Sequence, residues 1–279
     1  MRGAGMIELT VRAGLGNRMR EIDSGLALSR AANKRLKVYW LKNKNLNCPY
    51  DRLFEPIAGV RIVDIETSRK RALLSPSSLW YRIRKRARLR PVDLFLGNEE
   101  IRRYRDAGID LASVVSKAKR CGIETFMRFY ESVGYVDLKP KKEILREVER
   151  TMGSLEPGKL IGVHIRRGDN DAAIQVSPVE AFIERMQLEV DQDPEVSFYL
   201  ATDDPVTETR VKECFPGRVL TRPKVFARNR AEGVRDALVD LLVLSRCRLI
   251  LGSYWSSFSD TASELAGAKR ETVRAKAVT

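Results

Sequence analysis

From residue 159 onward, short apolar runs alternate with amphipathic stretches of helical spacing, and this alternation limits the chain to an α/β fold. Lys159–Ile165, Val196–Ala201, Arg218–Thr221 and Leu249–Leu251 read as strands. Between and after them, Pro178–Val190, Pro205–Phe215, Glu232–Cys247 and Ser257–Leu265 read as helices. Strands that are apolar throughout and separated by helices form a parallel sheet covered on both faces. The first half opens the same way, with a strand at Met6–Arg12, a break at Gly14-Leu15-Gly16-Asn17, a helix over Met19–Asn33 and a strand at Leu36–Trp40. Further strands are expected at Val60–Ile65 and Gly122–Arg128, with an irregular basic insertion over 66–98. A helix over Pro140–Met152 stops at Gly153, and Leu155-Glu156-Pro157-Gly158 reads as a linker. The sequence therefore predicts two α/β domains, 1–154 and 155–279.

At 279 residues the chain is long enough for two such cores, and 43% hydrophobic against 32% charged residues argues against general disorder. No run reaches the roughly 20 apolar residues that span a bilayer, and Met1–Gly5 lacks the apolar core of a signal peptide. A cytoplasmic protein is expected. Cys48, Cys121, Cys214 and Cys247 stand far apart, without the clustered spacing of a zinc site or a disulfide framework, and read as reduced thiols. Lys and Arg total 51 against 37 Asp and Glu, a net charge of +14 that attracts anions. The densest basic cluster, Trp80–Arg90, reads as a solvated loop or as a docking surface for an anionic acceptor or the inner membrane face.

In parallel sheets ligands bind beyond the carboxyl ends of the strands, which directs attention to the loops that follow them. His164-Ile165-Arg166-Arg167-Gly168-Asp169 ends one strand and holds the only histidine of the chain. Two arginines there offer planar forks suited to phosphate oxygens. Asp169 is placed to orient them or to take a proton from a reacting hydroxyl. Tyr199-Leu200-Ala201-Thr202-Asp203-Asp204 ends the next strand, and Asp204 reads as the cap of the helix opened by Pro205. Asp240 lies on an otherwise apolar helix and requires a partner, either a guanine edge or an arginine. Ser253–Ser259 begins a helix, where hydroxyls and backbone N–H groups of Ser256 and Ser257 make an anion cradle. Gly14, Gly16, Asn17 and Arg18 do not match a dinucleotide fingerprint, since Met19 stands where the third glycine belongs, and no Walker lysine is present. They read as a glycine turn that feeds Asn17 and Arg18 towards a shared cleft.

Taken in order, these segments resemble the fucosyltransferase superfamily, which includes alpha-1,6, alpha-1,2 and protein O-fucosyltransferases and the rhizobial nodulation enzymes. The likeness runs over 158–267, with a separate short match at Gly14–Arg18. It implies a GT-B fold of two facing Rossmann-like domains, with the nucleotide-sugar held by the C-terminal one and the acceptor largely by the N-terminal one. It further implies an inverting, metal-independent transfer of fucose from GDP-fucose to a glycan or glycoconjugate hydroxyl, with no cofactor beyond the donor. By position, Arg166 would clamp the β-phosphate with Arg167 beside it, and Ser256 and Ser257 would hold the diphosphate. His164 and Asp240 would contact the guanine end, and Asp203 and the Gly14–Arg18 turn would line the donor site. The alpha-1,6 enzymes carry a glutamate shortly after the arginine motif, whereas here Asn170-Asp171-Ala172 follows, leaving Asp169 and Asp171 as alternatives for the base. The animal enzymes' membrane anchor has no counterpart, in keeping with a bacterial or viral-type protein.

Two other readings compete. The same scaffold serves transferases that use other nucleotide-sugars. A basic nucleic-acid-binding protein would explain the charge, but with aromatics at only 7% the base-stacking side chains it needs are scarce, and no nucleic-acid partner is expected.

Overall fold

The computed structural model describes residues 5–66, 92–153, 157–168 and 171–275. The chain divides into two compact units, Met1–Lys141 with Arg228–Ala231, and Lys142–Ala227 with Glu232–Thr279. The helix that precedes the linker thus packs with the second unit.

In the first unit, β1 (Met6–Val11), β2 (Arg35–Lys42), β3 (Arg61–Glu66), β4 (Leu94–Leu96) and β5 (Arg120–Glu124) form a parallel sheet in the order β3-β2-β1-β5-β4. Ile7, Leu9, Val11, Val38, Leu41 and Ile123 are buried on its faces, which is why these strands read as apolar in sequence. Helix α1 (Leu15–Ala31) starts four residues before the expected Met19. Gly14 is its extended N-cap and Gly16 its second residue, so the glycine turn that follows the strand is already the start of the helix. Buried Asp23 on α1 accepts from Arg128 Nη1 at 2.7 Å, from Ser132 Oγ at 2.6 Å and from the Tyr135 N–H at 3.0 Å, pinning the chain that follows β5. β5 ends at Glu124, short of the expected Arg128, because Asn98 Oδ1 takes both the Thr125 hydroxyl and the Phe126 N–H.

Three elements of this unit were not expected. β4 lies inside the segment read as irregular and pairs with β5. α2 (Asn98–Asp106) is opened by Glu100 accepting the Gly97 N–H at 2.9 Å. Asp110 caps α3 (Leu111–Lys117) through the Ala112 and Ser113 N–H groups.

The second unit begins with α4 (Lys142–Met152). Its sheet contains β6 (Leu160–Ile165), β7 (Ser197–Thr202), β8 (Val219–Leu220), β9 (Leu249–Gly252) and β10 (Lys269–Thr272), all parallel, in the order β10-β9-β6-β7-β8. The helices are α5 (Asp171–Val176), α6 (Val179–Gln192), α7 (Pro205–Cys214), α8 (Ala231–Leu244) and α9 (Ser257–Ala266). Ile161, Val163 and Ile165 of β6 join Phe198, Leu200 and Leu251 in one core with Phe182 and Met186 of α6. Each such side chain, fully buried, contributes about 1.5–3 kcal/mol. The opposite face carries α8, and a Cβ on Gly162 would come within 2.7 Å of Leu244 Cδ2, so glycine is needed for that approach. The chain runs β6, β7, β8 in one direction and then returns to place β9 and β10 on the other side of β6. The topological switch point therefore falls between β6 and β9, where such sheets open a crevice at their carboxyl ends. In the first unit the corresponding point lies between β1 and β5.

Candidate functional site

The carboxyl ends of β6 and β9 are joined by Ser253. Its hydroxyl donates to the His164 carbonyl at 3.2 Å and accepts the Arg166 N–H at 2.9 Å. Its own N–H also bonds the His164 carbonyl, at 3.1 Å. Ser253 is wholly buried, so the backbone from which Arg166 projects is fixed to the strand beside it. Nothing in the sequence marked this serine, one of several in a hydroxyl-rich run.

Asp203, at the end of β7, ties the same loop from its other side. Its two oxygens accept the N–H groups of Arg167 at 2.7 Å and Gly168 at 3.2 Å. Asp204 caps α7 as expected, accepting the Thr207 N–H at 2.9 Å and the Thr207 hydroxyl at 2.6 Å. The Thr207 hydroxyl bond holds its carboxyl below the usual range, with the helix N–H groups acting in the same direction.

The two arginines separate in their surroundings. Arg166 is half-buried at the strand end. Arg167, which the sequence reading set beside the phosphate, sends its guanidinium to main-chain carbonyls at the end of α5, Ile174 at 3.4 Å and Ser177. Those carbonyls carry the negative end of the helix and attract a cation. Burial lowers the Arg167 pKa, with Glu180, Asp203 and Asp204 opposing that shift.

Ser256 is the N-cap of α9, yet its side chain makes no capping bond. It instead faces His164 Nδ1 at 3.4 Å, and the His164 ring stacks on Phe258 with centroids 4.7 Å apart. The first-turn N–H groups of α9, beginning at Ser257, are thus not taken by the cap side chain and point out of the helix. The structure brings His164, Arg166, Asp203, Ser253, Ser256 and Ser257 together at the ends of β6, β7 and β9. Asp171 is exposed in the first turn of α5, and Asp169 lies outside the described residues, as does the Trp80–Arg90 cluster.

Asp240 sits away from these loops, on α8. Its partners within the protein are a tyrosine and a lysine, not an arginine. Oδ1 accepts the buried Tyr199 hydroxyl at 2.6 Å, and Oδ2 accepts from Lys224 Nζ at 3.0 Å. Lys224 precedes Asp240 by sixteen residues in an irregular segment, so no periodicity linked the two.

In the first unit, Gly14, Gly16 and half-buried Asn17 open α1 at the carboxyl end of β1. Arg18 does not project outward with them. It is wholly buried, with Nε donating to the Ala13 carbonyl at 2.6 Å and its guanidinium 4.6 Å above the Trp40 ring. Its terminal nitrogens and both oxygens of buried Glu21 make no hydrogen bond among the described residues. Burial lowers the Arg18 pKa to about 10 and raises that of Glu21, each offset in part by the other's charge. At the end of β5, Glu124 lies 2.9 Å from Arg12 Nε and is likewise buried, which pushes its carboxyl up to about 7 against the Arg12 charge.

Among the described residues, no three His, Cys, Asp or Glu side chains cluster as metal ligands, and no helix is long and apolar enough to cross a membrane.

No family model and no curated protein sequence matches this chain. Solved structures do. The chain is similar to NodZ alpha-1,6-fucosyltransferase soaked with GDP-fucose, at 20% identity and a TM-score of 0.62 over 94% of this chain and 92% of that one. A NodZ structure from Bradyrhizobium superposes with a TM-score of 0.61 at 19% identity, covering 93% and 92% of the two chains. A mutant of Arabidopsis thaliana FUT1 in complex with GDP gives 0.60 at 14% identity, over 96% of this chain and 69% of that one. The apo form of POFUT1 gives 0.55 at 12%, over 98% and 99%. The α/β fold of the whole chain is thus the GT-B fold of these fucosyltransferase structures.

Proposed function

We propose that the chain is a glycosyltransferase that moves fucose from GDP-fucose to a hydroxyl of a glycan or glycoconjugate, by an inverting and metal-independent route in the cytoplasm. The observation that carries this reading is the group at the switch point between β6 and β9. A half-buried arginine on a fixed backbone, Arg166, stands beside an α9 N-terminus whose cap side chain is turned away to His164. Such an N-terminus favours phosphate oxygens, and a guanidinium meets them with two parallel charge-assisted bonds. The shared fold adds support, because a NodZ alpha-1,6-fucosyltransferase with this architecture was soaked with GDP-fucose.

In the proposed reaction the acceptor oxygen forms a bond to C1 of the sugar as the bond from C1 to the β-phosphate oxygen breaks. The electron pair leaves with GDP, and the hydroxyl proton passes to a carboxylate, for which Asp171 and Asp169 are the alternatives. Arg166 and the α9 N–H groups stabilise the charge that gathers on departing GDP, the task a metal performs in other transferases. Arg167 and Asp203 hold the loop in place from behind. The first unit is proposed to hold the acceptor. A peripheral contact of 80–90 with an anionic membrane belongs to the same proposal.

The test is GDP release from GDP-fucose with EDTA present, against UDP release from UDP-glucose. Release from GDP-fucose alone, undiminished by EDTA, is the expected result. Preference for the uridine donor, or loss of release that manganese or magnesium restores, would overturn the assignment.

A further inference from the structure

Trp255 stands at φ +51°, in the left-handed region where a bulky L-residue strains its backbone. Asn33 and Tyr135 share that region. Asparagine tolerates it, and in Tyr135 packing offsets it. That residue is buried, its N–H donates to Asp23 Oδ1 at 3.0 Å, and its hydroxyl accepts from Arg128 Nη2. Trp255 has no such offset, for it is 76% exposed. An indole is among the largest apolar surfaces a residue can bury, yet here it is held in water on a strained backbone. Folding alone favours glycine or asparagine at this position. Backbone strain of this kind gathers at active sites and ligand clamps.

The chain is fixed on both sides of the ring. Before it, the Ser253 carbonyl accepts from Arg270 Nη2 at 3.2 Å, and the Tyr254 N–H donates to Ser177 Oγ at 2.8 Å. After it, wholly buried Ser256 faces His164, and its carbonyl accepts the Asp260 N–H at 3.1 Å. The Tyr254 ring lies 6.3 Å from that of Trp255, tilted by 54°, and carries the Arg274 guanidinium 4.8 Å above its face. Trp255 is thus a rigid, open ring beyond the carboxyl end of β9, one residue before the N-cap of α9.

We propose that Trp255 is a stacking platform for a pyranose ring of the acceptor, a reading that rests on the glycosyltransferase function above. A pyranose carries hydroxyls around its rim and C–H groups on its faces. A C–H face settles on the negative π-surface of the indole, while the rim hydroxyls keep their water. An enclosed apolar pocket would strip those hydroxyls of partners, which is why an exposed ring suits a sugar. The acceptor arrives from solvent, whereas the diphosphate is proposed to lie on the N–H groups of α9. The outward ring therefore fits the acceptor.

The test is saturation-transfer NMR of the full chain, with and without GDP, using cellotetraose, maltotetraose and the β-1,4-linked tetramer of N-acetylglucosamine as probes. At least one should bind, with transfer concentrated on ring C–H protons. Trp255→Gly and Trp255→Asn should weaken that probe roughly tenfold or more, the scale of losing a stacking ring, and Trp255→Phe should retain most of the affinity. Both variants should melt no lower than wild type, since each removes strain, and should keep wild-type GDP affinity. A lower melting temperature would make the ring a packing element and overturn the proposal. Undiminished sugar binding in both variants would do the same. GDP affinity that falls in parallel with sugar affinity would assign the ring to the nucleotide instead. Wild-type protein that binds none of the three probes, but sediments with phosphatidylglycerol vesicles through Trp255, would make it a membrane contact. Failure to bind the probes without such sedimentation would equally remove the platform. Wild-type protein that binds the sugars but not GDP would defeat the donor assignment and leave the platform standing.

Discussion

Glu124 shows how far a single buried group can leave its ordinary state. Burial raises its carboxyl from 4.5 to about 7, with the Arg12 charge opposing that shift. Arg18 and Glu21 of α1 belong to the same charge cluster, and Glu21 is raised in the same direction. The native state therefore holds a proton that the unfolded chain releases at a lower pH. With the folded value above the unfolded one, the native state loses stability as pH rises from about 4.5 through about 7. Glu124→Gln, which cannot ionise, should gain melting temperature relative to wild type between pH 5 and pH 8. A difference that does not vary with pH would show that the carboxyl is not shifted. Arg18 teaches the same lesson about legibility. Its place after a glycine turn suggested an outward guanidinium, but the Trp40 ring that covers it comes from β2, and no local pattern announces that contact.

At the scale of elements, the interior strands were readable because strands buried on both faces become continuous apolar runs, as in LIGVHI of β6 and LILG of β9. β10, with the sequence KRET, has no such signature, and only pairing with β9 makes it a strand. α2 and α3 are too short for periodicity to show, though Glu100 and Asp110 stood at capping positions. At the candidate site, the strand ends led to His164, Arg166 and Ser256. The tethers behind them were not legible, because Ser253 and Lys224 act through contacts that only the assembled sheet creates. The Asp203 tether has a direct consequence. In Asp203→Asn one of the two backbone N–H groups of Arg167 and Gly168 would face an amide donor. Their amide hydrogens should then exchange faster, while those of β6 stay protected, at a cost of about 1–3 kcal/mol for the lost bond. Unchanged exchange at both positions would mean that the loop is held by something else.

For the whole molecule, the proposal reduces to one requirement, that the native chain binds a guanosine diphosphate through its second unit. A ligand that binds only the native state stabilises it by mass action, so GDP at 100 times its Kd should add about 2.7 kcal/mol. UDP at the same concentration should raise the melting temperature much less, and equal shifts would contradict the donor assignment. The most direct measurement is GDP release from GDP-fucose by wild type and by Arg166→Lys, with GDP affinity measured in parallel. Lysine keeps the charge and loses the fork, so the variant should fold and bind GDP with little loss while turning over roughly a hundredfold more slowly, as when an oxyanion donor is removed. The interaction is worth most in the transition state, which is why turnover suffers more than binding. A folded Arg166→Lys protein that releases GDP at the wild-type rate would show that the diphosphate does not lie at the end of β6.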